Sequence, residues 1–330
     1  MTNKIVISPD SGHSASLKMV PCGRCGANVF IASNLAPLET TPCRKCGHPV
    51  MIPMRLRQIE LRAVIASGGM GTVYRSFDKT LKRDVAVKLM KRELVNDPEA
   101  VASFSKEAIA CAGLNHTNII HIYTFDEHEG EKYIVMELSD CGSLENRIEN
   151  EQQVPEYDVV NIGIKVASAL KTAQKHNLLH LDIKPANILF NADGEPKLID
   201  FGLARNAAAA KEYEEGVMGT PEYIAPERVT REGESFLSDM YSLAATLYNA
   251  LTGQVPFNGA DSYETAMAHV NLPLTPPNQL VQIMEGTNDA IVAAMAKDPA
   301  DRPQSYDEFI MALEAARSHL LIQKYRTGSD

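Results

Sequence analysis

From residue 59 the chain alternates apolar and polar positions in short runs. Ile59–Ile65, Thr72–Phe77 and Asp84–Met90 read as strands with turns between them. Pro98 then opens a stretch in which Val101, Phe104, Ala108 and Cys111 recur at helical spacing, predicting a helix over about 98–113. Ile119–Asp126 and Lys132–Leu138 return to a strand-like pattern. Beyond 155 the period is helical, over 156–176, 236–252, 261–270, 288–296 and 305–322, with loops rich in Pro or Gly. Strands first and helices later predict an α+β fold and not alternating β-α units. Residues 20–52 hold short β-prone pieces such as Val29–Ile31 and Val50–Ile52, and the one low-complexity tract is Ala207–Ala210.

Composition narrows the class without deciding it. The chain has 330 residues, enough for two domains, and a formal charge of −10. That charge argues against a nucleic-acid or anionic-membrane scaffold, which needs basic patches. The first residues, MTNKIVISPDSGHSAS, lack the apolar core of a signal peptide. No run approaches the roughly 18 apolar residues of a membrane span. A cytoplasmic chain is expected, with an anchor beyond Asp330 left open.

Four of the six cysteines form two C-x-x-C pairs, Cys22/Cys25 and Cys43/Cys46, each followed by Gly. Thiolates at i and i+3 of a tight turn can face one ion, and the Gly can take the positive φ such a turn wants. Two knuckles would complete a tetrahedral shell. A module this small cannot fold on its own core, so metal would supply its stability. The pattern resembles a zinc ribbon over 20–53 with a structural Zn²⁺, after a flexible tail at 1–19. Two disulfides or a rubredoxin-like iron site are the alternatives, and thiolate softness in a reducing compartment favours zinc. His48 reads as a surface residue and not as a fifth ligand.

Further on, Ile65-Ala-Ser-Gly-Gly-Met-Gly71-Thr-Val73 forms a Gly-rich turn between two strands, able to bring backbone N–H groups to phosphates. Lys88 stands on a strand in Val-Ala-Val-Lys; alone it would read as a snorkelling surface lysine. Glu107 lies on the following helix, where it could pair with Lys88. Then come His180-Leu-Asp182-Ile-Lys184-Pro-Ala-Asn187, Asp200-Phe-Gly202 and Gly219-Thr220-Pro-Glu-Tyr-Ile-Ala225-Pro-Glu227. Elements of these types in this order resemble a bacterial-type, eukaryotic-like serine/threonine protein kinase over 58–316.

The resemblance implies a bilobal fold. An antiparallel β N-lobe with one helix, about 58–138, would precede a mostly helical C-lobe, about 139–316, and a tail, 317–330. It implies ATP and Mg²⁺, with Mn²⁺ as a substitute, and a protein substrate, basic if the acidic loop attracts it, bearing Ser or Thr. Nucleic acid is not an expected partner, and oligomeric state stays open. Asp182 would accept the proton of a substrate hydroxyl, and Lys184 would neutralise the transferring phosphate. Asn187 and Asp200 would hold Mg²⁺ through oxygen. Lys88, fixed by Glu107, would hold the α- and β-phosphates. Ile65, Gly68, Gly71, Val73, Ala86 and Leu189 would line the nucleotide site. Met136 would be the gatekeeper, with the Glu137 carbonyl and Ser139 amide at the adenine edge. Apolar residues at these positions suit a plain core equally well. Asp239 would brace the catalytic loop, and Glu227 would pair with Arg302. Cys111 reads as core, and Cys141 as a rim residue with no assigned role.

Two positions depart from the family pattern. Ala66 replaces the first Gly of the turn, which matters only if its φ is positive. Leu181 stands where the family usually has an Arg that receives a phosphate on the activation loop. The segment 202–225 offers as hydroxyl residues only Tyr213, Thr220 and Tyr223, and Thr220 fits a structural role beside the substrate hydroxyl. Activity without activation-loop phosphorylation is therefore expected. The run Glu212, Glu214, Glu215 reads either as a phosphate substitute or as a solvated loop. The alternative to an active enzyme is a pseudokinase scaffold that docks partners through the ribbon. Ala66 and Leu181 support it, and the intact set Lys88, Glu107, Asp182, Asn187 and Asp200 opposes it. A nucleic-acid-binding ribbon is weaker still: Arg24, Arg44 and Lys45 come with no stacking platform.

Overall fold

A computed structural model describes residues 19–32, 35–201, 205–206 and 219–327, without the side chains of Glu107, 205–206 and 326–327. Backbone packing divides the chain into two compact units. One runs to Ala66 and includes Tyr74–Val85; the other comprises Ser67–Val73 and everything from Ala86 onward.

The first unit opens with two short hairpins. Strands β1 (Met19–Pro21) and β2 (Asn28–Phe30) pair with Val20 opposite Val29, and β3 (Thr40–Pro42) and β4 (Pro49–Met51) pair with Thr41 opposite Val50. Their inward residues Val20, Val29, Ile31, Val50 and Ile52 close over Cys22 and Cys43, a core of only a few side chains. Strand β5 (Met54–Leu56) then pairs with β6 (Ile59–Ser67), with Leu56 and Leu61 fully buried.

Strands β7 (Gly71–Asp78), β8 (Arg83–Met90), β9 (Ile122–His128) and β10 (Glu131–Met136) complete a six-stranded sheet in the order β5-β6-β7-β8-β10-β9. Helix α1 (Pro98–Ala112) starts where Pro98 occupies the first turn and the Asp97 carboxylate accepts from the N–H groups of Glu99 and Ala100. Its Phe104 and Ala108 pack on Met90 and Ile134 in a small core of their own.

The helical part of the second unit is built around α5 (Phe236–Thr252). Every residue of α5 from Ser238 to Thr252 is buried, as expected of a helix with no polar face. A Ser235/Ser238 capping box starts it and Gly253, left-handed, ends it. Helix α3 (Glu156–Lys175) packs between α5 and α8 (Tyr306–Thr327), and α7 (Glu285–Ala294) packs on both α5 and α8. Helix α2 (Leu144–Glu151), the short α4 (Pro226–Val229) and α6 (Ser262–Asn271) lie around them. Among the described residues no helix is long and apolar enough to cross a membrane.

Most predicted elements recur within a few residues, and the differences have causes. Strand β9 begins at Ile122 and not 119, because Ile119 bridges in parallel to Leu198 instead. Helix α7 starts at Glu285, three residues earlier than the pattern predicts, and ends at Ala294. Helix α8 continues past 322 to Thr327. Helix α2 escaped prediction: only Leu144 among its eight residues is buried, so it has almost no apolar stripe.

Candidate active site

The segment 180–187 hangs between β11 (Leu178–Leu179) and the hairpin of β12 (Ile188–Phe190) with β13 (Pro196–Leu198). Its backbone is held by a carboxylate from the central helix: Asp239 accepts the N–H of His180 and of Leu181, each at 2.8 Å. His180 is fully buried, with its ring 4.6 Å from that of Phe201. Its Nδ1 accepts the Asp182 N–H at 3.3 Å, so Nε2 carries the hydrogen and donates to the Ile199 carbonyl at 2.9 Å.

Asp182 is thereby presented to three polar side chains. Its Oδ1 accepts from the Thr220 hydroxyl at 2.9 Å. Its Oδ2 receives Lys184 Nζ at 2.8 Å and Asn187 Nδ2 at 3.1 Å. Lys184 Nζ also donates to Thr220 Oγ1 at 2.9 Å, closing a small ring. Burial opposes ionisation of Asp182, but the Lys184 hydrogen bond and charge, with the Thr220 hydroxyl, outweigh it and hold the carboxyl below its ordinary value. The result is an ionised carboxylate beside a cation and a hydroxyl, able to orient an alcohol and take its proton.

Asn187 is buried and donates through Nδ2 to the Asp182 carbonyl at 2.7 Å as well, which leaves its Oδ1 for another donor or a cation. Asp200 is exposed and has φ +65°, in the left-handed region that Asp enters more readily than most side chains. An amide oxygen and a carboxylate are hard donors of the kind Mg²⁺ takes.

The Gly-rich turn closes through Gly68 N–H to the Gly71 carbonyl, 2.9 Å, and Lys91 N–H to the Met70 carbonyl, 3.1 Å. A Cβ on Gly71 would stand 2.6 Å from the Leu89 carbonyl oxygen, so the turn lies against β8 as closely as a backbone can. Ala66 has a negative φ and carries no left-handed strain. Lys88, half-buried on β8, pairs in register with Ile134 and lies 5.8 Å from the Phe104 ring centroid. Glu107 belongs to α1, but its side chain lies outside the described residues. Ala86 is buried opposite the half-buried Met136, and Val73 and Leu189 are half-buried. Glu137 N–H donates to the His121 carbonyl at 2.9 Å, and its carboxylate meets Lys197 at 2.5 Å. Ser139 is buried. Ile65 is exposed and belongs to the first compact unit.

In the first unit the sulfurs of Cys22, Cys25, Cys43 and Cys46 all lie within 4.8 Å of one another. Cys22 to Cys46 is 3.6 Å and Cys25 to Cys43 is 3.7 Å, and all four are free cysteines. A tetrahedral ion with Zn–S bonds of about 2.3 Å places its sulfurs about 3.8 Å apart, which this arrangement fits. Gly26 and Gly47 take φ +69° and +72° and donate back to the Cys22 and Cys43 carbonyls, as two matching knuckles require. Backbone N–H groups of Lys45 and Cys46 draw the Cys43 thiol down to about 7, while Cys46, against its His48 backbone hydrogen bond, is pushed up to about 12 by burial and the three neighbouring sulfurs.

The family description "Protein kinase domain" matches residues 59–314. The chain belongs to the protein kinase domain family. It is 37% identical over 257 residues to "Probable serine/threonine-protein kinase CPE1738" of Clostridium perfringens, covering 77% of this chain and 38% of that one. It is 34% identical over 267 residues to serine/threonine-protein kinase PknB of Mycobacterium leprae, covering 79% and 43%. It is 36% identical over 264 residues to serine/threonine-protein kinase PknA of Mycobacterium tuberculosis, covering 78% and 61%. The chain thus spans less than two thirds of the length of these relatives.

Within the kinase domain, the structure brings together Asp182, Lys184, Asn187 and Thr220, and braces them through Asp239. Glu227 and Arg302 form a two-pronged pair at 2.7 and 2.8 Å. Cys111 is buried and Cys141 exposed. Gly202, Ala207–Ala210 and Glu212–Glu215 lie outside the described residues. Sequence reasoning passed over Lys197 and Arg228. Lys197 meets Glu137 and Arg228 reaches the Leu181 carbonyl, both remote in the chain, and no local spacing marks such contacts.

Proposed function

We propose that the chain transfers the γ-phosphate of ATP to serine or threonine hydroxyls of protein substrates. The carrying observation is the Asp182 carboxylate held between Thr220, Lys184 and Asn187. Asp182 would receive the substrate proton and Lys184 would neutralise the phosphate being transferred. Asn187 and Asp200 would hold Mg²⁺, whose charge would screen the phosphates. Lys88, with Glu107, would hold the α- and β-phosphates, and Gly68 and Gly71 would approach them through backbone. Val73, Ala86, Met136, Glu137, Ser139 and Leu189 would form the adenine pocket. The kinase names of the relatives support serine and threonine as acceptors.

The domain reading is a metal ribbon over 20–53 and a kinase domain over 58–316. The four-sulfur cluster would hold one structural Zn²⁺, since four thiolates leave no open position for chemistry. Leu181 is buried and offers no cation for a phosphorylated loop, which supports turnover without activation-loop phosphate.

Incubation with radiolabelled ATP, Mg²⁺ and core histones, beside an Asp182→Asn control, tests the activity. Incorporation into histone serine or threonine by the wild type alone is expected. No incorporation under any metal or acceptor, with nucleotide still bound, would make the fold a docking scaffold instead. Activity that vanished after phosphatase treatment would overturn the loop reading.

A further inference from the structure

Leu181, next to Asp182, has φ +66° although it is neither Gly nor Asn, and its side chain is buried. Such a conformation persists only where its surroundings over-determine it. Its peptide groups are gripped from both sides. The N–H donates to Asp239, and the carbonyl accepts from Arg228 Nη1 at 2.6 Å. Arg228 follows Glu227 on α4, some 47 positions further along the chain, with its side chain only 5% exposed.

The same guanidinium reaches two other places. Its Nε pairs with Glu234 at 3.3 Å. Its Nη1 passes so close to Gly219 that a Cβ there would stand 3.3 Å away, and 3.6 Å from the Leu181 carbonyl oxygen. Gly219 has φ +135°, a backbone that side chains rarely adopt. Gly219 precedes Thr220, and Thr220 donates to Asp182. One planar cation therefore bonds the residue before Asp182 and a half-buried carboxylate, and lies beside the residue before Thr220.

From these contacts we propose that Arg228 is a positioning residue for phosphoryl transfer. It holds the Leu181 peptide and the 219–220 segment in register, so that Asp182 Oδ1 and Thr220 Oγ1 stay in hydrogen-bond contact. A fixed fork of donors suits this task, and a lysine's single ammonium does not replace it fully. The inference rests on the kinase reading for its rate readout but not for its structural one.

The test uses Arg228→Gln, Arg228→Lys and Glu234→Gln in the full chain. Turnover is measured with core histones, and nucleotide affinity by calorimetry with a non-hydrolysable ATP analogue and Mg²⁺. Displacement of reacting groups by about 1 Å costs on the order of 100-fold in rate. Arg228→Gln should therefore lower kcat by about that factor, with nucleotide Kd changed less than threefold. Arg228→Lys should recover part of the loss. Hydrogen exchange should accelerate at 180–187 and 219–220 while α5 keeps its protection. If Arg228→Gln does not fold, Glu234→Gln decides: a kcat lowered severalfold at unchanged Kd supports the proposal. Unchanged kcat in a folded variant overturns it, as does an equal loss of nucleotide affinity and α5 protection. A wild type with no transferase activity would sink the kinase reading and leave the exchange experiment to judge Arg228.

Discussion

The buried Glu227–Arg302 pair shows how much one ion pair can weigh and when. Burial works against the Glu227 carboxylate; the two Arg302 hydrogen bonds, the Arg302 charge and the Ser238 hydroxyl at 2.7 Å outweigh it, so its value falls below the ordinary 4.5. A folded value below the unfolded one means the stabilisation is complete above about pH 4.5 and is lost as pH falls through the folded value. Arg302 is fully buried, and Arg302→Met would leave a carboxylate with no cation, at a cost of about 3–5 kcal/mol. Urea midpoints at pH 7 should show that loss. As pH falls below 4.5 and through the folded value, the gap between wild type and variant should narrow, because Glu227 is then being protonated in the wild type too. A gap independent of pH would mean that packing, and not charge, is what Arg302 contributes. This pair was legible in the sequence through the motif order that the resemblance supplied. Arg228 was not, because its acceptor is a backbone carbonyl, and a carbonyl leaves no mark in sequence.

At the scale of elements, the strands and long helices were legible because their apolar faces repeat with a period of two or near four. Helix α5 was placed residue for residue, since its capping serine and terminal glycine stand at both ends of an apolar run. The short pieces that position the site were not legible. Strands β11, β12 and β13 have two or three residues each, too few to show a period, and their pairing depends on tertiary packing. The Gly-rich turn lies between these cases: its glycines were visible, but not which of them the packing requires. The contact of Gly71 with the Leu89 carbonyl singles that one out, since a backbone oxygen cannot rotate away as a side chain would. Gly71→Ala should therefore push the start of β7 off β8 and weaken binding of a Mg²⁺-loaded ATP analogue by about tenfold, roughly 1.4 kcal/mol. Gly69→Ala, where a Cβ meets nothing within 4 Å, is the matched control and should bind within about twofold of wild type. Equal affinities for both variants, measured by calorimetry, would remove the turn from the nucleotide site.

For the molecule as a whole, the question is what holds the cysteine module in shape. Its core consists of Val20, Val29, Ile31, Val50 and Ile52 around two of the sulfurs, far too little apolar surface to offset the ordering of some thirty residues. The helical body around α5 has a core of dozens of buried side chains and needs no such help. Metal should therefore be a condition of folding for one part and irrelevant to the other. Purified protein should carry one zinc per chain, and Co²⁺ exchanged into the site should give the visible bands of tetrahedral thiolate ligation. On chelation, amides of β1 to β4 should lose hydrogen-exchange protection while α3, α5 and α8 keep theirs and their thermal transition. Cys43→Ser, which removes a ligand at nearly constant volume, should reproduce the chelated pattern without chelator. If instead the chelated protein kept its protection at β1 to β4, the small apolar core would suffice after all. If the α5 transition collapsed with them, the metal would be holding the whole chain together, and the two parts could not be treated as separately stable.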